Sequence, residues 1–161
     1  MNINELKIFT SNLSEQVEFY SSVLDLAISE KSKNKVSLII GNSLLTLEYR
    51  KEFTPYHFAI NIPSNKENEA LNWLKERVSI LLDRKSEIQD FDFWNAKAIY
   101  FYDKDNNIVE FIARKNLNNK SDKKFEANSL IEISEIGLPT ENIEKEFNSL
   151  NQNCNLNIFS G

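Results

Sequence analysis

The chain's single imidazole, His57, opens the alternating run Tyr-His-Phe-Ala-Ile-Asn-Ile-Pro over 56–63. A period of two puts His57, Ala59 and Asn61 on one strand face and Phe58, Ile60 and Ile62 on the other. Three more polar residues stand in the same kind of setting. Glu5 alternates with Leu6 and Ile8, Thr46 with Leu45 and Leu47, and Glu110 with Val109 and Phe111. An imidazole and carboxylates facing away from an apolar, helix-packing side can hold a divalent metal or move a proton.

Other chemistries find little material. The one cysteine, Cys154, has no partner for a disulfide or a metal knuckle. Three glycines in the whole chain rule out a phosphate-cradling loop. No Ser-His-Asp motif occurs. Asp103–Asn107 superficially resembles a calcium loop, but Ile108 stands where its sixth-position Gly belongs and Arg114 where its final Glu belongs. A net charge of -5 with no basic stripe argues against nucleic acid. No apolar stretch is long enough to span a bilayer. The chain opens straight into strand-like alternation with no basic, apolar leader, so a soluble cytoplasmic protein is expected.

Repeats organise the elements that must position these residues. Residues 3–18 recur at 133–148: Ile3 matches Ile133, Glu5 matches Glu135, Thr10 matches Thr140 and Asn12 matches Asn142. A weaker copy lies at 56–64, where His57, Phe58 and Ile60 match Glu5, Leu6 and Ile8. Each copy is a strand followed by a capped helix. Asn12 with Glu15, and Ser64 with Glu67, read as helix starts. Val17, Tyr20, Val23 and Leu24 form one apolar helix face, and Ala70, Leu71, Leu74 and Val78 the next. Trp73 falls in the second helix and is expected in the core. Strands without helices follow each, near 26–31, 35–41 and 44–49, then near 79–83, 97–102 and 107–113. Gly41-Asn42 and Asp103–Asn107 supply turns, with Asn106-Asn107 tolerating the positive φ that Gly usually takes.

The expected fold class is α+β: two βαβββ modules forming a cup-shaped mixed sheet with helices outside. The body spans 3–114, with module one at 3–50 and module two at 56–114. Residues 115–129 read as a polar linker and 131–161 as an incomplete strand–helix repeat, either part of a longer parent or packed on the rim of the body.

Three motifs in this order resemble the vicinal oxygen chelate superfamily, which includes glyoxalases, bleomycin-resistance proteins and extradiol dioxygenases. Leu13–Leu26 resembles its first-helix signature, with Asp25 in place of the usual Gly. Residues 56–63 resemble its His-led second-module strand. Tyr102–Ala113 resembles its turn and Glu-bearing last strand, with Lys104 and Asn106 replacing the usual Pro and Gly. The resemblance implies a small-molecule cup with metal positions at Glu5, Thr46, His57 and Glu110. Glu5 stands where His or Gln is common, and Thr46 where glyoxalases place Glu. Ring-cleaving members usually present two histidines, and this chain has one.

The set implied for a divalent transition metal (Mn, Fe, Ni or Zn) is therefore Glu5, His57 and Glu110, with Glu5 and Glu110 as the catalytic carboxylates. Lys7, Phe9, Thr46, Asn61, Trp94, Lys97, Tyr100 and Tyr102 are expected to line the cup against substrate. The implied function is a metal-dependent lyase, isomerase or dioxygenase acting on a small oxygen-rich metabolite. The alternative is a metal-free sequestering protein of the bleomycin-resistance type. A third possibility is an interaction domain whose incomplete repeat pairs with another chain. Members of the family often complete the cup across two chains, which implies a homodimer.

Overall fold

A computed structural model describes residues 3–155. Strand β1 (Glu5–Thr10) leads into helix α1 (Leu13–Glu18), whose last turns widen into a π-helical segment at Phe19–Val23. The Asn12 side chain caps α1 by accepting from the Glu15 amide at 3.4 Å, and Thr10 Oγ1 accepts from the Asn12 amide at 3.0 Å. Asp25 holds φ at +53°, the left-handed conformation to which a glycine is better suited. Strands β2 (Ile28–Lys31), β3 (Lys35–Ile40) and β4 (Ser43–Tyr49) complete a sheet in the order β1-β4-β3-β2, with β1 parallel to β4.

The second module repeats this path. Strand β5 (His57–Ile62) is followed by α2 (Glu67–Lys75), the short edge segments β6 (Ile80–Leu81) and β7 (Gln89–Phe91), then β8 (Ala96–Tyr102) and β9 (Ile108–Arg114). Again the first and last strands pair in parallel, β5 with β9. Helix α2 starts later than the Ser64–Glu67 box predicts. The turn after Pro63, closed by the Lys66 amide on the Pro63 carbonyl at 3.0 Å, puts Lys66 at the N-cap, where its side chain makes no capping bond. Ser64 Oγ has no partner.

The helix-facing sides of both sheets share one core, including Tyr20, Phe58, Phe101 and Phe111. Tyr20 also donates to Asp103 Oδ2 at 2.7 Å, while Asp103 Oδ1 accepts from the Asp105 and Asn107 amides at 2.9 Å. The 103–107 turn is thus a structural clasp between α1 and the β8–β9 hairpin.

Composition hides what residues 115–129 do. Within that polar stretch Phe125 is only 2% exposed, and its ring packs 5.8 Å from Trp73 and 6.3 Å from Phe111. Strand β10 (Glu132–Ile136) then pairs antiparallel on the outer edge of β5 and reaches the first sheet through a bridge from Ile133 to Ile3. Ser43 Oγ donates to the Ile3 carbonyl at 2.6 Å and accepts from the Ile133 amide at 2.9 Å. Gly41, at φ +54°, turns β3 into β4, and a Cβ there would collide with the Ile131 carbonyl. Helix α3 (Ile143–Cys154) repeats the caps of α1: Thr140 Oγ1 accepts from Asn142, and Asn142 from Lys145. It buries no residue, and Ile143 is 79% exposed. Among the described residues no helix is long and apolar enough to cross a membrane.

Candidate functional site

Strand register arranges the concave face of module two in rows. His57, Ile108 and Tyr102 form the first row; Ala59, Glu110, Tyr100 and Leu81 the second. Asn61, Ile112, Ala98 and Gln89 form the third. Three small side chains, Ala59, Ala96 and Ala98, keep the floor low, and Phe91 and Trp94 pack over one end of it with their rings 5.2 Å apart. The other end is open around His57, whose side chain is 42% exposed. His57 Nε2 lies 3.1 Å from Glu110 Oε2, and Glu110 itself is buried.

Tyr100 sits directly across from Glu110 in the β8–β9 register, with its ring 6.1 Å from the imidazole. Burial pushes the Tyr100 phenol well above its ordinary range, and the Glu110 carboxylate pushes it further. Tyr100 therefore stays a neutral hydrogen-bond donor. The extra strand adds carboxylates to this face. Glu135 pairs with Arg114, and Glu132 accepts from Asn61 Nδ2 at 3.3 Å. Arg114 Nε donates to Asn61 Oδ1 at 3.3 Å.

The concave face of module one is different. Thr46 is fully buried and donates to Glu5 Oε1 at 2.6 Å. Its one hydroxyl proton is spent there, so the 2.9 Å contact between Ser37 and Thr46 has Ser37 as donor. Lys7 pairs with Glu48 at 2.9 Å, and the Arg50 guanidinium lies 3.4 Å over the Phe9 ring. Hydrogen bonding to Glu48 raises the Lys7 pKa, and the same bond lowers that of Glu48.

The structure brings His57, Glu110, Asn61, Tyr100, Tyr102 and Trp94 together on one concave face. Glu5, Lys7, Phe9 and Thr46 share the other sheet. Lys97 belongs to neither cup. The β8 register turns it to the α2 side with Ile99 and Phe101, where it pairs with Asp90 at 2.9 Å. The alternation in Ala-Lys-Ala-Ile-Tyr-Phe-Tyr has aromatic residues in both phases, so sequence alone does not choose the face. Sequence reasoning missed Leu81, Leu82 and Phe91, which come from edge pieces too short to show a period.

A divalent metal finds two suitable donors in contact here, the His57 imidazole and the Glu110 carboxylate. Among the described residues no three His, Cys, Asp or Glu side chains converge as a metal site. Glu5 lies on the other sheet, held by Thr46. Module two thus presents two of the three expected ligands, and the third, Glu5, lies on the first sheet.

No family model matches the chain. It is 27% identical over 117 residues to the metallothiol transferase FosB of Staphylococcus saprophyticus, covering 68% of this chain and 74% of that protein. Its fold matches a glyoxalase/bleomycin resistance protein/dioxygenase from Alicyclobacillus acidocaldarius, with TM-score 0.56, 19% identity, and coverage of 70% and 91%. It also matches the fosfomycin resistance protein FosX from Listeria monocytogenes, in a complex with Mn(II) and 1S,2S-dihydroxypropylphosphonic acid. That match has TM-score 0.54, 19% identity, and coverage of 70% and 90%. Two βαβββ modules with parallel first and last strands, a His-led fifth strand and a glutamate in the ninth agree with these matches: the chain has the fold of the glyoxalase/bleomycin resistance protein/dioxygenase group, the vicinal oxygen chelate fold.

Proposed function

We propose that the chain is a divalent-metal-dependent enzyme acting on a small oxygen-rich molecule at the module-two cup. The 3.1 Å contact between His57 and Glu110 on an open concave face carries this reading. FosX, solved with Mn(II), supports a metal in this fold. His57 and Glu110 are the ligands this chain contributes. In the proposed homodimer, Glu5 of a second copy supplies the third ligand or the base. When bound, the metal would act as a Lewis acid on two neighbouring substrate oxygens. The chain's residues do the rest. Tyr100 donates from its neutral phenol to a developing oxyanion, Glu110 is placed for proton transfer, and the alanine floor leaves room for the substrate.

One observation favours a metal-free binder instead: Glu5 and Glu110 are each already partnered within the chain, by Thr46 and His57. Elemental analysis of protein purified without a metal-affinity column separates the two readings. Stoichiometric metal lost in His57→Ala, and weakened in Glu5→Gln, is the expected result. Absence of metal after reconstitution with Mn, Fe, Ni and Zn would transfer the assignment to the binder. Light scattering showing a monomer at micromolar concentration would remove Glu5 from the site.

A further inference from the structure

Between His57 and the outer edge of the second sheet lies a cavity of about 380 Å³, a volume suited to a small organic ligand. Its walls are unequal. His57 and Tyr100 stand on one side, while Leu81, Leu82 and Phe91 form the other. No Lys or Arg lines it; its acidic residues are Asp83 and Asp90. Asp90 is neutralised by Lys97, which leaves Asp83 to make the rim acidic. A phosphonate or phosphate arm would find no Lys or Arg on this wall and would lose hydration on entry.

The edge strand explains where the apolar wall comes from. Beside β8, the outer strand is split into β6 and β7, and residues 82–88 leave the sheet between them, closed by the Asp83–Ser86 bridge. This excursion holds Leu82 at the mouth of the cavity, 62% exposed to solvent. Leu81 lies in the same row as Tyr100 and Glu110, two strands away from Glu110. The His57 imidazole reaches over Glu110 on β9, so a molecule running from it to Leu81 on β6 crosses two strand spacings of about 4.8 Å, or about 10 Å. That is a polar head followed by something the length of an aromatic ring or a short branched chain.

We propose that the substrate class of this site is a two-oxygen head carrying an uncharged aryl or branched alkyl arm, with Leu82 and Phe91 determining specificity for the arm. The head meets His57 and Tyr100, and the arm lies against Leu81, Leu82 and Phe91. This rests on the reading above for the head; the arm rests on the cavity alone.

Three vicinal diols that differ only in the arm make the test: propane-1,2-diol, 1-phenylethane-1,2-diol and 1,2-dihydroxyethylphosphonic acid. Their binding to the full chain is measured by ligand-observed NMR and calorimetry, with and without Mn(II). The phenyl diol should bind at least about tenfold more tightly than the other two, the discrimination expected of an apolar pocket for a group larger than a methylene. Leu82→Asp should remove most of that advantage with Tm unchanged, because Leu82 is largely exposed and contributes little to the core. Preference for the phosphonic acid would overturn the proposal. So would a phenyl advantage that survives Leu82→Asp, or no binding of any diol in either state. A phenyl preference that depends on Leu82 but not on Mn(II) would keep the arm site and remove the metal reading. Tight Mn(II) binding with no phenyl preference would do the reverse.

Discussion

The two modules fold along the same path and then use their concave faces in opposite ways. In module one the polar groups satisfy one another: Ser37 donates to Thr46, Thr46 to Glu5, and Lys7 to Glu48. In module two the floor is alanine, the imidazole is half open, and an apolar wall faces it across a cavity. Topology is set by the apolar phase of each strand, which the modules share. Chemistry is set by the other phase, which is free to diverge. The outer strand shows the same freedom: β2 stays one strand beside β3 with a register shift between Ile28 and Glu30, whereas its counterpart splits into β6 and β7 and offers up Leu81 and Leu82.

The largest effect should come from what the modules share. Phe111 is fully buried between the aromatic residues of α2, β8 and the 115–129 segment. Phe111→Ala should cost about 3–5 kcal/mol in a denaturant titration and weaken both modules together. Thr46→Val tests the closed character of module one. It leaves buried Ser37 and the Glu5 carboxylate without their partner, for a loss of about 1–3 kcal/mol. Metal content should stay at the wild-type value if Glu5 works only within its own sheet, and change if Glu5 is a ligand.

Alkaline pH should distinguish the open face. Tyr20 and Tyr100 are both held protonated in the folded state, primarily by burial and then by Asp103 and Glu110 respectively. Above the ordinary tyrosine pKa of 10.0 the unfolded chain releases these protons and the folded chain keeps them. The stability they contribute is complete below pH 10 and falls as pH rises beyond it. Tyr100→Phe should make this fall shallower in thermal melts between pH 9 and 11 (an interval of about one unit either side of the tyrosine value), and an unchanged slope would mean that burial and Glu110 do not hold the Tyr100 phenol protonated. The smallest effects concern the repeated caps. Asn12→Ala should cost about 1 kcal/mol of global stability, whereas Asn142→Ala should change only the local helicity of α3.

The alternation of 5–10, 57–62 and 108–114 made both modules readable, because the apolar residues that pack towards the helices recur at every second position. That His57 and Glu110 share one face was readable for the same reason. The Thr-x-Asn code of the first helix also reads correctly at 140–142, yet the code says nothing about what the helix packs on. Helix α1 lies on a sheet and buries Phe19 and Tyr20, while α3 has the same caps and no such surface beneath it. Phe125 was invisible because a single anchor in a charged stretch has no period. Lys97 was placed on the wrong face because two aromatic phases compete in one strand.

Strand β10 has a consequence for how the chain survives handling. It covers the edge of β5 from Phe58 to Asn61, and the Gly137 amide bonds the His57 carbonyl beyond them. Without it, a strand reading His-Phe-Ala-Ile-Asn-Ile would offer a row of bare amides and carbonyls to any passing chain, the condition that seeds edge-to-edge aggregation. The cover is tethered through the exposed, charged residues around 118–124, the kind of segment that proteases cut first. A nick there would leave the cup residues in place and strip the seal from the sheet, so the first sign of damage in a preparation would be turbidity rather than loss of ligand binding.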